Sequence, residues 1–147
     1  MYGHDMYEGK WNRQQDKLIN QLEKAINGEY SAIQCYEKLA ALAPDEKHRE
    51  QIIEIREDEI KHFQVFTRIY NSLTGLQPQP KVTETCPDSY AAGLEFAVQD
   101  EQETVDFYQD VADGAADRTI RKAFRRAAAD EQNHAVWFLF YLVKLKG

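Results

Sequence analysis

The sequence predicts an all-α protein: an antiparallel four-helix bundle built from two duplicated helical hairpins joined by one long crossover. Three observations carry this. Four stretches of the 147-residue chain place apolar residues at alternating steps of four and three, the spacing of one helix face. The two halves repeat each other at an offset of 72 residues. A single segment rich in proline and glycine separates them.

The first helix is expected from about Asp16 to Ala43, with Leu18, Leu22, Ala25, Glu29, Ala32, Tyr36 and Leu39 on one stripe. Residues 1–13 carry no such stripe and read as an N-terminal arm. Pro44 with Asp45 marks a stop and restart, because the residue before proline is pushed out of helix. The second helix, from about Asp45 to Leu73, aligns Ile52, Ile55, Glu59, His62, Phe66 and Ile69. Gly75, Pro78, Pro80 and Pro87 make residues 75–88 a crossover without regular structure. The third helix, from about Ser89 to Ala112, aligns Tyr90, Leu94, Ala97, Glu101, Thr104, Tyr108 and Val111. After Gly114, the fourth runs from about Asp117 to Leu145 through Ile120, Phe124, Ala127, Glu131, His134, Phe138 and Tyr141. The bundle thus spans residues 14–147, with hairpins 14–74 and 89–146. The repeat pairs Leu22 with Leu94, Tyr36 with Tyr108, Asp58 with Asp130 and Phe66 with Phe138, so the hairpins should pack about a pseudo-twofold axis.

Bulk properties narrow the partners. A net charge of −7 argues against binding nucleic acid through a basic face and against docking on an acidic membrane. No apolar run has the length of a signal sequence or a membrane span. Cys35 and Cys86 form neither a CxxC pair nor a recognisable framework, so they are read as reduced: Cys35 as a small core residue, Cys86 as incidental. A cytoplasmic location is the expectation. His4 and His48 are read as surface residues, as are Glu23 and Glu95, which fall off the inward stripe.

The middle of each stripe is polar. Glu29, Glu59, Glu101 and Glu131 occupy inward positions, and His62 and His134 follow the second and fourth of these by three residues. Glu29 and Glu59 lie fifteen residues on either side of Pro44, and Glu101 and Glu131 fifteen on either side of Ala116. In antiparallel hairpins all four therefore sit at one level, with each histidine one turn away on the same face. Several carboxylates cannot stay ionised in a dry core unless cations join them. Two divalent ions cancel four carboxylate charges, and mixed carboxylate and imidazole donors suit iron, manganese or zinc. Glu59 and Glu131 are expected to bridge, and Glu29 and Glu101 to be terminal. His62 is expected on one ion and His134 on the other. Tyr36 and Tyr108, two turns along the stripe from Glu29 and Glu101, are candidates for orienting carboxylates. Asp58 and Asp130 are candidates to accept the free ring N–H of the opposite hairpin's histidine.

One glutamate from each of two helices, and Glu-x-x-His from each of the other two, resembles the ferritin-like di-iron carboxylate superfamily. Gly28-Glu29-Tyr30 through Tyr36, and Asp130-Glu131 through His134, are most similar to its rubrerythrin branch. The resemblance covers the chain from about residue 14 onward. It implies two bound irons and a non-haem oxidoreductase that reduces hydrogen peroxide or dioxygen. The rubredoxin site of rubrerythrins proper is absent, which implies a separate electron-donor protein. The stripe position one turn after Glu101 is Thr104, where rubrerythrins usually offer a further glutamate nearby; the symmetric set keeps ferroxidase activity, with iron storage or delivery, as the alternative. A homodimer is expected, because Trp137, Phe138, Leu139, Phe140, Tyr141 and Leu142 give the last helix more apolar faces than one bundle needs.

Overall fold

The computed structural model describes the backbone of residues 2–147 and the side chains from residue 13 onward. Four helices follow in order: α1 (Tyr2–Leu42), α2 (Glu46–Thr74), α3 (Tyr90–Gly114) and α4 (Arg118–Lys146). Helix α1 packs on α2 and α3 on α4, and the hairpins meet through α1 against α3 and α2 against α4. The described residues contain no strand. No helix among them is long and apolar enough to cross a membrane.

The helix ends follow from local chemistry. Asp45, Ser89 and Asp117 hold extended backbone as N-caps and accept from the amides of His48, Ala92 and Ile120, satisfying donors the first turn leaves free. Helix α2 stops at Gly75, whose φ of 73° lies in the left-handed region that glycine tolerates best, and its amide donates to the Asn71 carbonyl. Gly93 permits close approach of α3 to α1, since a Cβ there would stand 2.6 Å from Leu39 Cδ1.

The crossover runs alongside α1 in the same direction. Its contacts climb in step: the Lys81 amide donates to Asn27 Oδ1 at 2.9 Å, the Thr83 amide to Ser31 Oγ at 2.9 Å, Cys86 is joined to Cys35, and Lys38 pairs with Asp88. It returns the chain along the bundle, so that α3 descends antiparallel to α1.

Helix α1 begins at Tyr2 instead of near Asp16, so the backbone of the expected arm is helical. An apolar stripe reports burial, not helicity, and a helix already nucleated extends at one hydrogen bond per residue. The side chains of residues 1–12, His4 among them, lie outside the described residues. Cys35 and Cys86 form a disulfide with 5.2 Å between Cα atoms, which overturns their reading as unpaired thiols and removes the cysteine argument for a reducing compartment.

The core falls into two apolar clusters with the polar residues between them. Leu22, Ile26, Phe66, Tyr108, Val111 and Phe124 anchor one; Tyr36, Leu39, Ile52, Ile55, Leu94 and Phe138 anchor the other. Each tyrosine packs against a phenylalanine of the opposite hairpin, Tyr36 on Phe138 and Tyr108 on Phe66, as the repeat requires. On α4, Phe138 and Tyr141 are buried in the bundle's own core, so they are not part of the surplus apolar face expected of the 137–142 run. The exposed stripe is Val136, Leu139, Phe140 and Val143, and Leu145 in the last turn also faces solvent. His48 is half-buried, stacking on Tyr141 at 4.2 Å with Nδ1 3.2 Å from the Tyr90 hydroxyl, so its surface reading is also corrected. Glu23 and Glu95 are exposed as expected.

Candidate metal centre

All six inward polar residues meet in the middle of the bundle. Glu29, Glu59, Glu101, Glu131 and His134 are at most 2% exposed, and His62 is 6% exposed. Each turns one atom toward the others that has no hydrogen-bond partner: Glu29 Oε2, Glu59 Oε1, Glu101 Oε2, Glu131 Oε1, His62 Nδ1 and His134 Nδ1. Such orphans are costly in a dry core. Six converging in one place is the arrangement expected where a cation completes the site.

The atoms sort into two groups that share members. One comprises Glu29, Glu59, His62 and Glu131, the other Glu59, Glu101, Glu131 and His134, with the donor atoms of each within 4.8 Å of one another. His62 Nδ1 stands 3.5, 3.3 and 3.1 Å from the Glu29, Glu59 and Glu131 oxygens. His134 Nδ1 stands 3.4, 3.5 and 3.6 Å from those of Glu59, Glu101 and Glu131. Donors about 2.1 Å from one ion lie roughly 3.0–3.4 Å apart in octahedral or tetrahedral geometry, so both groups have the dimensions of an ion's coordination sphere. Only Glu59 and Glu131 belong to both.

The outward atoms of Glu29, Glu101, His62 and His134 are occupied, which fixes their inward atoms in direction. His62 Nε2 lies 2.8 Å from Asp130 Oδ2, and His134 Nε2 lies 2.9 Å from Asp58 Oδ2, each bond crossing between hairpins. These bonds set each ring so that Nδ1 faces inward. The Tyr36 hydroxyl donates to Glu101 Oε1 at 2.5 Å, and the Tyr108 hydroxyl donates to Glu29 Oε1. Both phenols are held well above their usual range, first by burial and then by the nearby glutamates, so they stay protonated donors. Asp130 also accepts from Arg126 Nε at 3.1 Å, whereas the position that repeats Arg126 in the first hairpin is Glu54.

Without metal, protons carry the compensating charge. Burial, reinforced by Glu59, pushes the Glu29 carboxyl up to about 8. Burial and neighbouring carboxylates raise Glu101 and Glu131 in the same way. Burial also opposes ionisation of Glu59, but Glu131 and the two imidazoles outweigh it and hold Glu59 below the usual carboxylate range. For His62, burial disfavours the imidazolium; Asp130, Glu29 and Glu59 outweigh it and raise the ring to about 12. His134 rises to about 11 against the same burial, chiefly through Glu101 and Glu59. Repulsion is what these protons relieve, and two divalent ions would relieve it without them.

Outside this cluster, Asp100 is raised to about 9 by burial and by Glu84 on the crossover. It lies beside a cavity of about 140 Å³ lined by Gly28, Thr83, Glu84, Asp100, Glu103 and Tyr108. Sequence reasoning missed this pair, because Glu84 sits in the irregular crossover and Asp100 has Gly28 as its counterpart in the repeat.

Comparison with known proteins agrees with this geometry. The chain is 54% identical over 132 residues to the uncharacterised protein YhjR of Bacillus subtilis (strain 168), covering 90% of this chain and 91% of that protein. A ferritin-like, diiron-carboxylate protein from Bacillus anthracis superposes with a TM-score of 0.72 at 26% identity, over 88% of this chain and 97% of the other. A hypothetical protein from Pyrococcus furiosus shares the fold, with a TM-score of 0.72 at 22% identity over 85% and 87% of the two chains. The rubrerythrin family model matches residues 20–142, a span that contains the whole buried cluster; the chain is a ferritin-like four-helix bundle and belongs to the rubrerythrin family.

Proposed function

We propose that the protein is a non-haem di-iron oxidoreductase that reduces hydrogen peroxide or dioxygen. The observation that carries this reading is the set of six unpartnered buried donor atoms in two groups sharing Glu59 and Glu131. Glu29 and His62 would hold one ion, Glu101 and His134 the other, and Glu59 and Glu131 both. Two Fe(II) ions so held would supply the two electrons that convert hydrogen peroxide to water. The chain's own part is positional and electrostatic. Asp58 and Asp130 keep each imidazole's inner nitrogen free, and Tyr36 and Tyr108 hold the outer oxygens of Glu101 and Glu29 so that the inner ones stay aimed at the centre. The two apolar clusters keep bulk water from both ends.

Ferroxidase activity with iron storage or delivery is the second reading. It is favoured by Thr104, which occupies the stripe position after Glu101 and bonds the Asp100 carbonyl at 2.7 Å, while Glu103 turns to solvent. The test is anaerobic Fe(II) reconstitution and desalting, followed by metal analysis and rapid mixing with each oxidant. About two irons per chain, oxidised faster by peroxide than by dioxygen, is the result expected. Oxidation by dioxygen alone, with further iron taken up beyond two per chain, would move the assignment to storage; no retained iron would remove both readings. We also propose pairing of two copies across Val136, Leu139, Phe140 and Val143, which recur at helical spacing on one exposed face. Gel filtration with light scattering should give a dimer, and a large shell would contradict this.

A further inference from the structure

We propose that Cys35 and Cys86 act as a redox-active dithiol that feeds the metal centre, its closure to the disulfide supplying the two electrons consumed per hydrogen peroxide. This rests on the reading above with peroxide as the oxidant.

The placement of the pair supports it. Cys35 directly precedes Tyr36 in α1, and the Tyr36 hydroxyl donates to Glu101 Oε1 at 2.5 Å. The other oxygen of Glu101 faces His134 Nδ1 in the centre. Two adjacent residues, Cys35 and Tyr36, and one hydrogen bond therefore connect a sulfur to a candidate metal ligand.

The repeat makes the pair an addition to the site rather than part of its architecture. Ligands, tyrosines and supporting aspartates all occur twice, but Cys35 is matched by Phe107, and Cys86 lies in the crossover, which has no counterpart. Tyr108 holds Glu29 without any sulfur beside it. Nor is the bond the only tie on the crossover, which Asn27, Ser31 and Lys38 also hold to α1 on either side of Cys86. Opening the disulfide should leave the two sulfurs facing each other, ready to close again.

The chemistry balances. Hydrogen peroxide takes two electrons and two protons, its O–O bond breaks, and two waters form. Two S–H bonds are lost and one S–S bond forms, giving H2O2 plus two thiols to two waters plus one disulfide. The chain holds no third cysteine, so an external dithiol reductant must reopen the bond by exchange. It would attack at Cys86, which is half-buried on the crossover, since Cys35 is only 4% exposed.

The test uses the full chain, reduced, loaded anaerobically with two Fe(II) ions and given one hydrogen peroxide per chain. Iron absorbance and free thiols are followed together. The expected result is ferric absorbance that rises and then decays as two thiols per chain disappear. Zinc-loaded protein, its site filled by an ion without redox chemistry, should lose thiols at least about tenfold more slowly. Tyr36→Phe should slow thiol loss roughly tenfold more than Tyr108→Phe, which removes the equivalent hydrogen bond from the half without sulfur. In Cys35→Ser/Cys86→Ser the ferric absorbance should form and persist. Thiols that survive while iron stays ferric, or that vanish equally fast with zinc, would overturn the proposal and leave a purely structural bridge. Iron that peroxide fails to oxidise would instead sink the peroxide reading, and this proposal with it.

Discussion

Replacing Glu59 and Glu131 together with alanine should lower bound iron from about two per chain to less than one. These are the only residues shared by both donor groups, so each group loses two of its four members at once. Loss of either terminal glutamate, by contrast, leaves the other group intact. The variant should remain helical. Neither glutamate belongs to the two apolar clusters that hold the helices together, so those contacts survive the substitution. The larger effect lies in the response to metal. An ion present at one hundred times its Kd adds about 2.7 kcal/mol to the folded state. Two such ions should raise the Tm of the unmutated protein by roughly 10–20 °C, given about 2–4 °C per kcal/mol for a domain of this size. The double variant should show no such rise. Calorimetry with and without metal, beside metal analysis, checks both parts, and an unchanged iron content would mean that the ions bind elsewhere.

Helical periodicity and the 72-residue repeat were enough to place the fold and the cluster, because the same stripe that buries Leu22 and Phe124 also buries Glu29 and Glu131. A glutamate at an inward position has no reason to be there for stability, which makes it conspicuous without any coordinates. The hydrogen bonds between Asp130 and His62 and between Asp58 and His134 were legible for a related reason: each aspartate directly precedes an inward glutamate of one hairpin, within reach of the other hairpin's histidine. What was not legible shares a different property. The Cys35–Cys86 bond, the Glu84–Asp100 pair and the crossover's climb along α1 all depend on an irregular segment whose path no periodicity reports. His48 was misread because its partners, Tyr90 and Tyr141, come from the second hairpin and have no sequence relation to it.

Metal-free protein should lose stability as pH rises from about 5 to 8.5, and metal should abolish or reverse that trend. In the folded chain Glu29 gives up its proton at about 8, against the usual 4.5 of a solvated glutamate. Between those values the folded state holds a proton that the unfolded chain has lost, so this stabilisation is complete below 4.5 and gone once pH passes 8. Glu101, raised by burial and the charge of Glu59, and Glu131, raised by burial and the charges of Glu101, Glu59 and Glu29, act in the same direction. His62 and His134 hold their protons up to about 12 and about 11, so their contribution is full below 6.5 and falls steadily above it. Glu59, and Asp130 beside His62, have the opposite sign: their lowered values give stability that is present above the usual carboxylate range and fades in acid. Across the neutral range the five raised groups of the cluster set the trend. In chelator, the Tm should peak near pH 5–6 and drop by on the order of 10 °C by pH 8.5. With metal bound, the ions take over the charge that the protons had balanced, and deprotonation of the six groups becomes a condition for binding instead of a cost. Metal affinity should therefore rise with pH over the interval in which the metal-free fold weakens. Thermal scans at pH 5.5 and 8.5, each with chelator and with metal, would reveal opposite slopes; parallel slopes would mean that the buried carboxylates and imidazoles do not exchange protons for ions.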